Sequence, residues 1–215
     1  MLHLHTDAVL EITIHSAHGL QDVERGGKND CYARVTIDLE DKKAFQKTDV
    51  KKNSGSDPSW EELVVIREVK PEHMYLYVEI LDEETGIDAP IAFAAIPLAQ
   101  VNETNKKSLS ARYDVYNENK VAMGEISLTI RIVQPGQESS GRITYDGENF
   151  KKGQSVVDEQ QLKRFKKLLL ADKAQDVGTT GALLGGFAAL GAGFMARQKA
   201  EAAKQRDLAL AEDEQ

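Results

Sequence analysis

Two short acidic stretches hold most of the side chains in this sequence that could do chemistry. The first, Leu20 to Val35, carries Asp22, Glu24 and Asp30, with Gly26 and Gly27 among them. The second, Leu81 to Asp88, brings Asp82, Glu83, Glu84 and Asp88. Glycine lets a loop turn tightly, so carboxylates separated in the chain can converge on one point. If both loops close at the same end of a β-sandwich, they build an all-oxygen, strongly negative cup, the environment a hard cation such as Ca²⁺ requires. Asp and Gly also crowd turns for reasons of backbone geometry alone. Left unpaired, however, so many carboxylates would repel one another, and a cation would relieve this.

The segments flanking the loops have the period of half-buried strands. Val9, Glu11, Thr13 and His15 alternate with Leu10, Ile12 and Ile14 before the first loop, and alternation resumes from Tyr32 after it. The pattern predicts strands over 8–16, 31–39, 44–51, 61–67, 74–81, 90–98, 110–117 and 122–133. Regular short strands separated by turn signals make this an all-β, eight-stranded antiparallel sandwich, with Trp60 packed in its core or at its edge.

Residues about 7–134 resemble a C2 domain. The likeness rests on Leu20, Glu24, Gly27, Asp30, Cys31 and Tyr32 in the first loop, then Lys47-Thr48, then Asp57-Pro58 with Trp60, Glu61 and Glu62, then Asp82, Glu84 and Asp88 with Ile91. Each piece is short; all four in order, at family-like spacings, carry the resemblance. It implies a C2-like sandwich that starts at the strand before the first calcium loop, with Glu24, Asp30, Asp82, Glu84 and Asp88 at the five calcium positions. The chain departs from the family pattern with Glu in place of Asp at 24 and 84, and with Cys31 and Ala92 in place of Pro and Gly. Ligand charge and loop rigidity tune calcium affinity.

The chain has 215 residues and a net charge of −8, and the whole excess lies in residues 1–134. An acidic balance argues against a general nucleic-acid binder, which needs a basic footprint. The lone Cys31 excludes an internal disulfide and suits a reducing compartment. With no charged-then-apolar leader, the expected location is cytoplasmic. No nucleophile motif, metal-binding His pair or nucleotide loop appears, so the reading is non-enzymatic.

A second charge cluster follows the first loop. Lys42, Lys43, Lys47, Lys51 and Lys52 fall on one predicted hairpin, and in related domains a lysine-rich patch there contacts phosphoinositide headgroups. Lysines also blunt exposed strand edges without binding anything. At the loop tips, Val23 and Ile87 are candidates to dip into a membrane interface, with Arg25 and Lys28 meeting phosphates.

The rest divides into a polar linker, 135–154, and a helical tail, 155–215. Ser155 is placed to cap a basic amphipathic helix over 156–175, in which Leu162, Phe165, Leu168 and Leu169 share a side flanked by Lys163, Arg164, Lys166 and Lys167. Such a helix suits an anionic membrane surface or a partner's groove; docking on its own chain is the alternative. Residues 177–196 carry no charge, long enough to span a bilayer as a helix, and Gly181, Gly185, Ala189 and Gly193 line one helical face. Membrane insertion, a soluble helix-pairing segment and a flexible apolar tail all remain open for it. A charged end, 197–215, closes the sequence.

Two functions fit. In the first, a membrane-targeting adaptor docks on anionic phospholipid through its C2-like domain, with Ca²⁺ bridging carboxylates to phosphate, and the tail adds a second, C-terminal contact at the cytosolic face of a membrane. In the second, a calcium-independent scaffold binds a protein partner and self-associates through its glycine-rich tail.

Overall fold

The alternation read in the sequence becomes a sandwich because each strand puts one apolar row inward. The computed structural model describes residues 8–24, 27–134 and 150–178, side chains to 175. The strands are β1 (Ala8–His18), β2 (Cys31–Thr36), β3 (Gln46–Lys47), β4 (Ser59–Val69), β5 (Tyr75–Asp82), β6 (Ala89–Pro97), β7 (Ser108–Tyr116) and β8 (Ala122–Val133). They lie in the order β3-β2-β5-β6-β7-β8-β1-β4, and all their named pairings are antiparallel. Between β6 and β7 a single register pair, Phe93 with Tyr116, joins the two halves. This slender hinge lets the halves face each other. Leu10, Ile12 and Ile14 of β1, Ile126, Leu128 and Ile130 of β8, and Val35, Val78, Ile80 and Ile96 of the other layer form one buried core. Trp60 lies in the same core, its indole N–H donating to the Cys31 carbonyl at 3.2 Å. A short helix, α1 (Ala99–Asn102), follows β6.

The strand predicted over 44–51 shrinks to the two residues of β3. Beyond it the Thr48 N–H donates to the Ala33 carbonyl at 2.9 Å, and Lys51 forms an isolated bridge with Cys31. The polar stretch read as linker, 135–154, ends in ordered structure. Lys151–Lys152 form β9, parallel to β7, and Val156 bridges Ala95. Gly153 is required there: its N–H donates to the Arg112 carbonyl, and a β-carbon would collide with the Tyr113 ring. Phe150 sits edge-on to the buried His15 ring at 5.2 Å.

Helix α2 (Glu159–Gly178) starts three residues later than expected. Ser155 does not cap it; its hydroxyl donates to the Asp114 carbonyl at 2.8 Å. The cap is Asp158, whose carboxylate accepts from the Gln161 N–H at 2.8 Å, the third residue of the helix. The apolar side of α2 is covered by the protein's own sandwich. Leu162 and Phe165 are buried against Phe93, with the two phenyl rings 4.7 Å apart. Gln161 is fully buried and donates to the Val78 carbonyl at 2.9 Å. Of the open alternatives for this helix, docking on its own chain is the one observed. The described residues up to Asp172 form one compact unit. The glycine face, Gly181, Gly185, Ala189 and Gly193, lies outside the described residues, as does Arg25.

The buried Phe165 ring is what holds α2 down. Phe165→Ala should destabilise the sandwich by about 3 kcal/mol or more, the usual cost of emptying a buried phenylalanine site. Leu170→Ala, at a site 65% exposed, should stay within about 0.5 kcal/mol. Urea unfolding of the two variants checks the contrast.

Candidate functional site: the acidic loop end

The loops preceding β2 and following β5 meet because β2 and β5 are antiparallel neighbours in register, Cys31 opposite Asp82. Asp30 and Asp82 therefore lie side by side. The Asp30 N–H donates to Asp82 Oδ1 at 2.5 Å, and the Glu83 N–H donates to the Asp30 carbonyl at 3.0 Å. Above this pair opens a cup of ≈ 400 Å³ lined by Glu24, Asp30, Lys52, Glu83, Glu84, Thr85 and Asp88. Four of the five carboxylates expected at calcium positions line it. Asp82 lies beneath, only 1% exposed, with Oδ2 buried and no hydrogen-bond partner.

Crowding shows in the titration of these groups. Burial pushes the Asp82 carboxyl up to about 6, and the nearby charges of Glu84, Glu24 and Asp30 push in the same direction. Asp30 is held below its ordinary value by the Asn53 N–H, which donates to Oδ1 at 2.6 Å, and by Lys52. Asp88 is fixed from two sides: the Tyr32 hydroxyl donates to Oδ2 at 2.6 Å and the Glu84 N–H to Oδ1 at 3.2 Å.

Lys52, expected at a lipid surface, instead turns its ammonium into the cup. It lies 2.9 Å from Asp30 Oδ2 and 2.7 Å from Glu83 Oε2, which raises its pKa. Lys51 pairs with Glu62 at 3.4 Å, and Lys47 lies over the Tyr32 ring, 5.6 Å from its centroid. Lys42, Lys43 and Lys28 are exposed, the Lys28 stem running past Gly55. The lysines thus serve several neighbourhoods instead of one hairpin face. At the tips, Val23 packs inward against the core, while Ile87 is 38% exposed.

Sequence reasoning passed over Asn29. It is fully buried and organises the first loop: Oδ1 accepts from the Val23 N–H, Nδ2 donates to the Gln21 carbonyl, and its own carbonyl accepts from the N–H groups of Ser54 and Gly55. An Asn within an acidic, glycine-containing loop is the one signal that pointed to it.

The donor chemistry suits Ca²⁺: oxygen-only carboxylates, with the buried orphan Oδ2 of Asp82 among them. As they stand, no three His, Cys, Asp or Glu side chains among the described residues are gathered closely enough to hold a metal. One oxygen of Asp30 is given to Lys52 and one of Asp88 to Tyr32. No helix among the described residues is long and apolar enough to cross a membrane.

Comparison with known proteins agrees with this architecture. Residues 8–115 match the family model described as C2 domain. The chain is 30% identical over 129 residues to the Protein SRC2 homolog of Arabidopsis thaliana, covering 57% of this chain and 40% of that protein. It thus spans well under half the length of that curated relative. Among solved structures, a single C2 domain of a plant extended synaptotagmin 1 superposes with a TM-score of 0.52 at 17% identity, over 62% of this chain and 99% of that one. An extended synaptotagmin 2 fragment, an SMP domain followed by two C2 domains, gives 0.50 at 19% identity, over 60% and 28%. At those identities the structures speak for the fold alone. With a family model matched across half its length, and a sandwich whose two acidic loops meet at one end, the chain belongs to the C2 domain family.

Proposed function

We propose that this protein is a non-enzymatic membrane-docking module that binds anionic phospholipid through the acidic end of its sandwich, with Ca²⁺ as the ligand of the cup. The observation that carries the reading is Asp82: a buried carboxylate with a free oxygen, its pKa raised by burial and by Glu84, Glu24 and Asp30. Such a site gains from any cation that enters it. Glu24, Asp30, Asp82, Glu84 and Asp88 are the residues that would hold the metal. Bound there, Ca²⁺ would turn the local field from negative to positive and offer an electrophile to lipid phosphate.

The chain's own residues prepare this. Asn29 and Asn53 fix the first loop, Tyr32 orients Asp88, and Lys52 keeps the loops together while no metal is bound. Lys52 also supports a second reading. An ammonium already in the cup meets part of its charge, which favours a calcium-independent scaffold that docks a protein partner, with self-association through residues 177–196. In either case the expected place of action is the cytoplasmic face of a membrane.

Two outcomes check the account. Full-length protein should co-sediment with phosphatidylserine vesicles more strongly in Ca²⁺ than in chelator, and Asp82→Asn/Asp88→Asn should lose the calcium increment while keeping the chelator level. Absence of pelleting by the unsubstituted protein in both conditions would favour the scaffold. In chelator, stability should also depend on Asp82. Its native pKa lies above the ordinary carboxylate value, so the native state holds the proton more tightly. The stabilisation from that proton is complete below about pH 4 and is lost as pH rises through about 6. Urea unfolding across this window should show the decline, and Asp82→Asn should flatten it.

A further inference from the structure

By ligand supply alone, the acidic cup offers oxygens enough for more than one divalent ion. Glu24, Asp30, Glu83, Glu84 and Asp88 line it and Asp82 lies beneath, whereas one Ca²⁺ takes only about 6–8 oxygens. One cation position, however, is already filled. The Lys52 ammonium lies 2.9 Å from Asp30 Oδ2 and 2.7 Å from Glu83 Oε2, one acid from each loop. We propose that Lys52 stands in for a second cation, so that the cup takes a single Ca²⁺ while the ammonium keeps the place between Asp30 and Glu83. The inference rests on the reading of the cup as a calcium site and sets how many ions that site takes.

The backbone on both sides of Lys52 fixes where its side chain starts. Before it, the Lys51 N–H donates to the Cys31 carbonyl at 2.8 Å. After it, the Asn53 N–H donates to Asp30 Oδ1 at 2.6 Å. Asn53 turns through φ +52°, a left-handed conformation that asparagine tolerates better than most residues. The Ser54 N–H then donates to the Asn29 carbonyl at 2.9 Å, which ties the turn to the first loop. The ammonium therefore reaches the cup from a seated turn, and a seated donor loses little further freedom on pairing. Exposed ion pairs are individually weak. Here, though, both Asp30 oxygens are engaged, one by Asn53 and one by Lys52. An ion entering between Asp30 and Glu83 has to expel the ammonium from two carboxylates at once. Among the described residues, the ammonium forms no ion pair with Glu24, Asp82, Glu84 or Asp88. An ion drawn to the buried, unpartnered Oδ2 of Asp82 thus enters without displacing Lys52. With that ion in place, two positive charges share the cup and repel a third.

The test counts bound ions. Full-length, chelator-stripped protein is dialysed to equilibrium against radiolabelled calcium at rising concentration. The unsubstituted protein should saturate at about one ion per chain, and Lys52→Met and Lys52→Gln at about two. Lys52→Arg, which keeps the charge, should stay at about one. So should Lys51→Met, because that ammonium pairs with Glu62 and does not line the cup. Urea unfolding in chelator checks that each variant is folded. Two ions on the unsubstituted protein overturn the proposal without recourse to any variant. A single ion on folded Lys52→Met and Lys52→Gln overturns it as well. Both of those results leave the calcium reading standing, whereas no bound calcium on any of the proteins overturns the two together.

Discussion

Carboxylates gathered at one end of a sandwich have to be held there against their own repulsion, and Lys52 does the holding. Its ammonium bridges Asp30, from the first loop, to Glu83, from the second. Each exposed ion pair is worth little by itself. Two shared on one ammonium, with the Asn53 N–H on the same Asp30 carboxylate, form a small network that ties the loops across the β2–β5 register. What the network leaves unmet is concentrated on Asp82, buried beneath with a free oxygen. The two loops are thus tied together while the charge beneath them stays partly unmet, which is the basis of the proposal that the cup responds to a cation.

A second carboxylate governs the other half of the charge distribution. Glu79 would be costly in the interior unless paired and hydrogen-bonded. It is answered from two directions, by Arg34 across the sheet and by Arg164 from α2. That answer, with Phe165 on Phe93, seats the helix on the sandwich and leaves its lysines exposed. The protein thus separates an anionic loop end from a cationic helix, although its composition shows only a net acidic chain.

The strands were legible because alternation has no competing reading: Leu10, Ile12 and Ile14 face one way and their neighbours the other. The carboxylates of the loops were legible because their residue types and order are unusual together. Their counterion was not. Lys52 follows Lys51 in a lysine-rich stretch, and nothing in sequence distinguishes the one that turns into the cup. The helix was visible in Leu162 and Phe165, but an apolar stripe does not say what covers it. Glu79 sits between Val78 and Ile80 and reads as the solvent-facing residue of a strand. Only the docked helix makes that side interior. The cap moved from Ser155 to Asp158 because both residue types can cap, and Ser155 finds the Asp114 carbonyl first.

The claim that the cup is a cation site held in waiting by a lysine is tested most directly by calcium titration calorimetry on chelator-stripped, full-length protein, alongside Lys52→Met. The account predicts saturable uptake by both, tighter by about tenfold in the variant, the effect of ~1.4 kcal/mol of competing charge removed. No saturable uptake by either protein at millimolar calcium would contradict it.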